Sequence, residues 1–160
     1  MKQHLSNKQI FMEELALTSD APMGIEIERA EGIFLYGPQG ESYIDLISGV
    51  SVSHVGHGRP EVVKAVQEQA ARYMHLMVYG EYVQAPQVAY AHALCELLKD
   101  TALDQVYFVN SGSEAIEGAM KLAKRYTGRP EIICFSKAYH GSTQGALSMN
   151  LVLISAGKDI

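Results

Sequence analysis

Two short segments hold residue types suited to an anion and a flat ring. Asn110-Ser111-Gly112-Ser113-Glu114 lies between the apolar run 105–109 and a stretch in which Ile116, Ala119, Met120, Ala123 and Tyr126 recur at helical spacing. A strand passing through a glycine-containing turn into a helix aims unpaired backbone N–H groups, and the positive end of the macrodipole, at one spot. Gly112 would let an anion reach the backbone, and the hydroxyls of Ser111 and Ser113 would donate to its oxygens. A phosphate suits that spot. Read alone, the same turn is an ordinary helix start, with Ser111 or Ser113 as N-cap and Glu114 or Glu117 completing a capping box.

The second segment, Tyr139-His140-Gly141-Ser142-Thr143, follows another apolar run at 131–135. Adjacent strand ends of a parallel sheet feed one crevice, where open α/β sheets bind ligands. Tyr139 could stack there on a heterocycle whose phosphate sits on the Gly112 turn. The competing readings are a loop aromatic covering the sheet edge for Tyr139, and a bond to local backbone for His140. His54 and His57 have a spacing that weakly suits a metal, but no cysteine, aspartate or third histidine nearby completes a set, which favours a glycine-rich turn.

The elements that must position these residues follow from periodicity. Residues 1–20 carry a weak helical pattern, broken by Thr18-Ser19-Asp20-Ala21-Pro22, and read as an N-terminal arm. From Ile25 to Ile47 the period becomes two, with breaks at Glu31-Gly32 and Gly37-Pro38-Gln39-Gly40, which predicts a small antiparallel meander. The glycines and histidines between Ser48 and Arg59 predict a loop approached closely by something else. Pro60 opens a helix whose buried face would hold Val62, Val63, Val66, Ala70, Tyr73, Met74 and Met77. A second helix near Pro86 would bury Val88, Ala91, Leu94 and Leu98. Residues 105–135 then read as strand, helix, strand, with parallel strands covered by helices on both faces.

The chain has 160 residues, 48% of them hydrophobic and 19% charged, which suits one globular core and excludes a disordered tail, a coiled coil or a collagen-like rod. A net charge of −5 without a basic stripe argues against nucleic acid as a partner. No apolar run reaches the roughly 20 residues of a membrane span, and the opening MKQHLSNKQI is too polar for a signal peptide. A cytoplasmic protein is expected. Cys95 and Cys134 lie in apolar segments and predict buried free thiols.

Taken together, these residues resemble a family. The run from Asn110 through Gly118 to Ala123 is similar to the phosphate-turn signature of class III aminotransferases, the ornithine, acetylornithine and ω-amino-acid type that depends on pyridoxal phosphate. The resemblance continues in Gly32-Ile33-Phe34-Leu35-Tyr36-Gly37 through Tyr43-Ile44-Asp45, in Gly56-His57-Gly58-Arg59-Pro60-Glu61-Val62 and in Tyr139-His140-Gly141, covering residues 20 to 150 in order. It implies an incomplete α/β fold of the fold type I pyridoxal-phosphate transferases. A small antiparallel N-terminal sheet would precede the start of a mixed, mainly parallel three-layer αβα domain. The implied division is an arm at 1–20, the sheet and loop of the small domain at 21–58, the first part of the large domain at 59–150, and an atypical tail at 151–160.

The resemblance implies that Ser111, Gly112 and Ser113 hold the phosphate of pyridoxal 5′-phosphate, with Tyr139, followed by His140 and Gly141, against the ring. The cofactor would supply an electron sink, and the protein a Schiff-base lysine, a carboxylate facing the pyridine nitrogen, a stacking aromatic and a phosphate cup. In the family the lysine and carboxylate lie beyond the position matching residue 160, and neither Lys137 nor Lys158 matches that lysine. The implied reaction moves an amino group from an amino donor to a 2-oxo acid or aldehyde, in a homodimer. An aminomutase on the same scaffold, or a catalytically incomplete fragment that self-associates, are the alternatives. Two positions depart from the pattern. Ornithine and acetylornithine members carry arginine where Ser142 stands, and Leu151 to Ile160 replaces a polar loop with an apolar tail, as a truncated or frameshifted chain would.

Overall fold

A computed structural model describes residues 5–77 and 80–150. Leu151 to Ile160, including Lys158, lie outside the described residues. Where length alone suits one core, the chain divides into two compact units, Met1–Tyr82 and Val83–Ile160.

The first unit opens with α1 (Asn7–Glu14), a helix started by a capping box in which Ser6 Oγ accepts from Gln9 N–H and the Gln9 side chain accepts from Ser6 N–H. The meander follows as β1 (Arg29–Glu31), β2 (Phe34–Tyr36) and β3 (Ser42–Ile44), antiparallel in the order β1-β2-β3. Its breaks are those read from the sequence, but the first strand lies downstream of the Ile25–Ile27 alternation. Arg29 pairs with Tyr36 across the ladder, and its guanidinium stands 3.6 Å from the ring centroid. That cross-strand contact fixes the register where two isoleucines on an open edge would not.

After β3 comes α2 (Ser48–Ser51), a single turn that winds left-handed, with φ of 52°, 61°, 62° and 62° at Ser48, Gly49, Val50 and Ser51. The glycine-rich loop behind it is approached closely, as its composition predicts. Gly32 and His57 exchange backbone hydrogen bonds of 2.9 and 2.8 Å, and a Cβ on Gly56 would come within 3.1 Å of Gly32 O. Helix α3 (Pro60–Arg72) starts at the proline but ends before the predicted face is complete. Tyr73 is extended at φ −171°, and Met74 is 85% exposed, so further helical turns there gain little burial.

The second unit holds α4 (Ala85–Leu97), α5 (Gly112–Thr127) and α6 (Gln144–Ser148). Gly128 closes α5 in the left-handed conformation, at φ 69°, where its N–H donates to Lys124 O at 2.9 Å. The predicted parallel strands are not formed among the described residues. Residues 105–109 and 131–135 carry no ladder, although Val106 and Phe108, and likewise Ile132 and Cys134, are half-buried while their neighbours are exposed. Phe108 stacks on Tyr90 of α4 at 5.8 Å, and Tyr107 lies 3.8 Å from where a Gly118 Cβ would stand on α5. The Val106–Phe108 side of the first run is therefore partly covered, by α4 through Tyr90, but neither run has a neighbouring strand among the described residues to take its N–H and C=O groups, and a strand needs both.

The helix faces read as buried are largely open. Val62, Val63 and Val66 of α3 are exposed, as are Val88 of α4 and Ala119, Ala123 and Tyr126 of α5, and Ala146 is the one buried apolar residue described. Among the described residues of its own unit, none of these stripes has a second layer to pack against. Cys95 and Cys134 are free thiols as expected, but half-buried rather than buried, for the same reason.

Candidate functional site

The second unit brings the two chemistry-bearing segments together. Ser111 is the N-cap of α5: its Oγ accepts from Glu114 N–H at 3.1 Å, and the Glu114 carboxylate reaches back to accept from Asn110 N–H at 2.7 Å. The ordinary helix-start reading is thus correct in its geometry. It leaves the anion reading open, because no hydrogen bond among the described residues engages Gly112 N–H or Ser113 N–H, and the Glu114 carboxylate is held upstream of both, at Asn110. Beyond its chain neighbours and the backbone of α5, no heavy atom lies within 4 Å of where a Gly112 Cβ would stand, so that side of Gly112 is open.

Gly141 packs directly on Ser113. A Cβ there would fall 2.8 Å from Ser113 Cβ and 2.9 Å from its Cα, and Gly141 sits at φ +133°, so only glycine permits the approach. Ser142 N–H donates to Ser113 Oγ at 3.3 Å, and Tyr139 and Ser142 share a hydroxyl hydrogen bond of 2.8 Å. Tyr139 is 75% exposed, its ring largely open. His140 donates its backbone N–H to Asn150 Oδ1 at 2.6 Å, while its Nε2 is buried without a hydrogen-bond partner among the described residues. Phosphate-type donors, an open aromatic face and one unpartnered ring nitrogen therefore occupy adjoining positions on two loops.

Two further residues build this junction: Glu117, read from the sequence only as a possible cap of its own helix, and Asn150, which the sequence did not single out. Glu117 Oε1 accepts from Thr143 Oγ1 at 2.7 Å, Gly145 N–H at 2.9 Å and Ala146 N–H at 3.2 Å, taking the capping role at α6 that Thr143 holds by position. The Thr143 hydrogen bond leads in holding the Glu117 carboxyl below the usual glutamate range, helped by both amides and by Lys121, against partial desolvation. Asn150, 8% exposed, closes the far end by donating Nδ2–H to Gly141 O at 2.9 Å as well as accepting from His140 N–H. A buried asparagine ten residues after His140 is a local signal for such a clamp, but only with the loop length already known.

In the first unit an aspartate does meet one of the two histidines, as a pair and not as a metal set. His57 Nε2 lies 2.7 Å from Asp45 Oδ2, while Asp45 Oδ1 accepts from Ser48 N–H at 2.7 Å and Ile47 N–H at 3.2 Å. The Ser48 amide and then His57 hold the Asp45 carboxyl below its ordinary range. This is a pair that pins the left-handed turn, and His54 turns away to the Ser51 carbonyl.

The model of the class III aminotransferases matches residues 16–151. The chain belongs to the class III aminotransferase family. Among curated relatives, acetylornithine aminotransferase of Archaeoglobus fulgidus is 38% identical over 125 residues, 78% of this chain and 32% of that protein. The acetylornithine aminotransferase of Methanopyrus kandleri is 43% identical over 119 residues, 74% of this chain and 30% of its own. Among solved structures, taurine:2-oxoglutarate aminotransferase of Bifidobacterium kashiwanohense, in complex with PLP and glutamate, superposes with TM-score 0.76 at 32% identity, covering 90% of this chain and 33% of that one. A phospholyase from Arthrobacter in complex with phosphoethanolamine gives TM-score 0.71 at 29% identity, with 88% and 32% covered. The chain thus spans about a third of the length of these class III relatives, and its fold is an incomplete version of theirs.

Proposed function

We propose that this class III chain supplies the phosphate cup and ring platform of a pyridoxal-phosphate site in an aminotransferase that moves an amino group from an amino donor to a 2-oxo acid or aldehyde. The observation that carries the reading is the packing of Gly141 on Ser113, which sets the Tyr139 loop beside the start of α5. In this site the Gly112 and Ser113 amides and the Ser111 and Ser113 hydroxyls would hold the phosphate. The open face of Tyr139 would take the ring, with His140 and Gly141 forming the loop that carries it. The cofactor, when bound, supplies the electron sink for bond breaking at the amino carbon. The chain's own residues bind and orient it, and the lysine and ring-nitrogen carboxylate belong to the part of the family's length that this chain does not span.

The same reading takes the protein as a cytosolic homodimer, with a domain boundary near residue 59. The free thiols of Cys95 and Cys134 support the compartment, the open apolar stripes of α3 and α4 support self-association, and Pro60 opening a new helix after the meander supports the boundary. No described helix is long and apolar enough to cross a membrane. Ser142 in place of arginine, and a phospholyase on the same fold, leave the amino donor to be found by assay.

Equilibrium dialysis of pyridoxal phosphate against the chain tests the proposal. Saturable binding, weakened by Ser113→Ala and by Tyr139→Ala and competed by inorganic phosphate, is expected. Borohydride reduction should leave no stoichiometric adduct at any one lysine. Binding that neither substitution alters would overturn the site.

A further inference from the structure

We propose that Glu117 is a positioning residue whose carboxylate, by seizing Thr143, Gly145 and Ala146 at once, sets the Tyr139 ring platform relative to the phosphate turn. This rests on the cofactor reading above and deepens it. The loop from Tyr139 to Gln144 has three anchors. Asn150 grips His140 and Gly141, Ser113 Oγ accepts from Ser142 N–H at 3.3 Å, and Glu117 takes the last residues with three hydrogen bonds on one oxygen. The Glu117 anchor is distinctive because it stands on α5 itself, the helix whose first residues present the free amides. A rigid helix therefore carries both the amides and the carboxylate that holds the loop, so the two halves of the site share one frame.

Charge makes this anchor firm. A carboxylate accepting two N–H groups and a hydroxyl forms charge-assisted bonds, each stronger than a neutral pair. The fit is tight as well, since a Cβ on Gly145 would lie 2.6 Å from Oε1 and 2.8 Å from Cδ of Glu117. By contrast, the Ser142–Ser113 contact is long and exposed. Loss of Glu117 leaves the loop held through Asn150 and the Ser113 contacts and frees its end from Thr143 onward.

The test uses two probes on the full chain. Pyridoxamine 5′-phosphate needs the ring platform and the phosphate turn, whereas inorganic phosphate needs the turn alone. Glu117→Ala should weaken pyridoxamine phosphate about ten-fold or more while changing phosphate affinity less than about two-fold, and it should add nothing further to Tyr139→Ala in a double-mutant cycle. Glu117→Gln, which keeps an acceptor oxygen, should recover part of the loss. Amide hydrogen exchange supplies a readout independent of any ligand: the amides of residues 140–146 should exchange faster in Glu117→Ala, with those of 115–127 unchanged. Should Glu117→Ala fail to fold, Thr143→Val removes one of the three bonds and should give the same pattern at smaller amplitude. Additive losses with Tyr139→Ala, equal losses for both probes, or unchanged exchange at 140–146 would overturn the inference. A wild-type chain that binds neither probe, yet shows the exchange change, would overturn the cofactor reading while leaving the anchor standing.

Discussion

Replacing Gly141 with alanine should open the junction between the two loops. Two costs combine. At φ +133° a non-glycine residue is strained by on the order of 1–3 kcal/mol. The new Cβ would also press on Ser113 at 2.8 Å from its Cβ and 2.9 Å from its Cα, and overpacking against backbone that cannot move freely adds roughly another 1–3 kcal/mol. Even the low end, about 2 kcal/mol, raises a local opening equilibrium roughly 30-fold. Hydrogen exchange followed by mass spectrometry reads this directly, at the peptides covering residues 138–150 and the start of α5. Gly112→Ala is the internal control: its Cβ would meet nothing within 4 Å beyond its chain neighbours and its own helix backbone, and alanine in place of glycine at a compatible conformation gains about 0.4–1 kcal/mol. It should leave exchange unchanged or slower while crowding the space beside the free amides. Should Gly141→Ala alter exchange in that region by less than about two-fold, corresponding to under roughly 0.5 kcal/mol, the Ser113 contact is not what joins the loops and the argument for a shared site fails.

Three other outcomes are expected. Because the Ser48 amide and His57 lower the Asp45 carboxyl, its contribution to order in residues 45–57 is present at neutral pH and lost as pH falls through and below about 3.9; Asp45→Asn should flatten that acid dependence in hydrogen exchange. Gly128→Ala, with open space around it but φ at 69°, should destabilise the end of α5 by about 1 kcal/mol, and Gly128→Asn by less, as helix fraying seen by NMR would report. Val66→Lys on the exposed face of α3 should leave the circular dichroism unchanged and reduce self-association in sedimentation; an unchanged association state would remove α3 from the interface.

Local signals carried much of the fold. Pro60, the Ser111 cap and Gly128 mark helix ends through the conformation of one residue each; Pro60 and Gly128 stand where the sequence puts them, and of the two serines it offers as cap, Ser111 takes the role. The meander's turns were equally visible, since Gly37 to Gly40 constrain only their own backbone. What stayed hidden depends on a partner far along the chain. The runs 105–109 and 131–135 announce apolar, extended segments, but a strand is a relation between two segments, and no pattern within either run supplies the other. Glu117 looked like a capping residue for its own helix, whereas it caps one that begins 27 residues later, at Gln144. Asp45 and His57 meet only because the chain between them reverses through a left-handed turn that their own types do not encode. The candidate site was legible as two separate segments, and the close approach of Gly141 to Ser113 is what makes them neighbours.

The left-handed turn at Ser48–Ser51 also bears on how this sequence would respond to selection. Val50 holds φ 62° with a β-branched side chain that is 83% exposed, so it is strained without any packing in return. Glycine at that position would relieve roughly 1–2 kcal/mol of steric cost, partly offset by the greater freedom of an unfolded glycine. A library screened for stability alone would therefore discard Val50 early. One screened for whatever that exposed side chain touches would keep it, and the difference between the two pools would separate what the turn does for the fold from what it does for function.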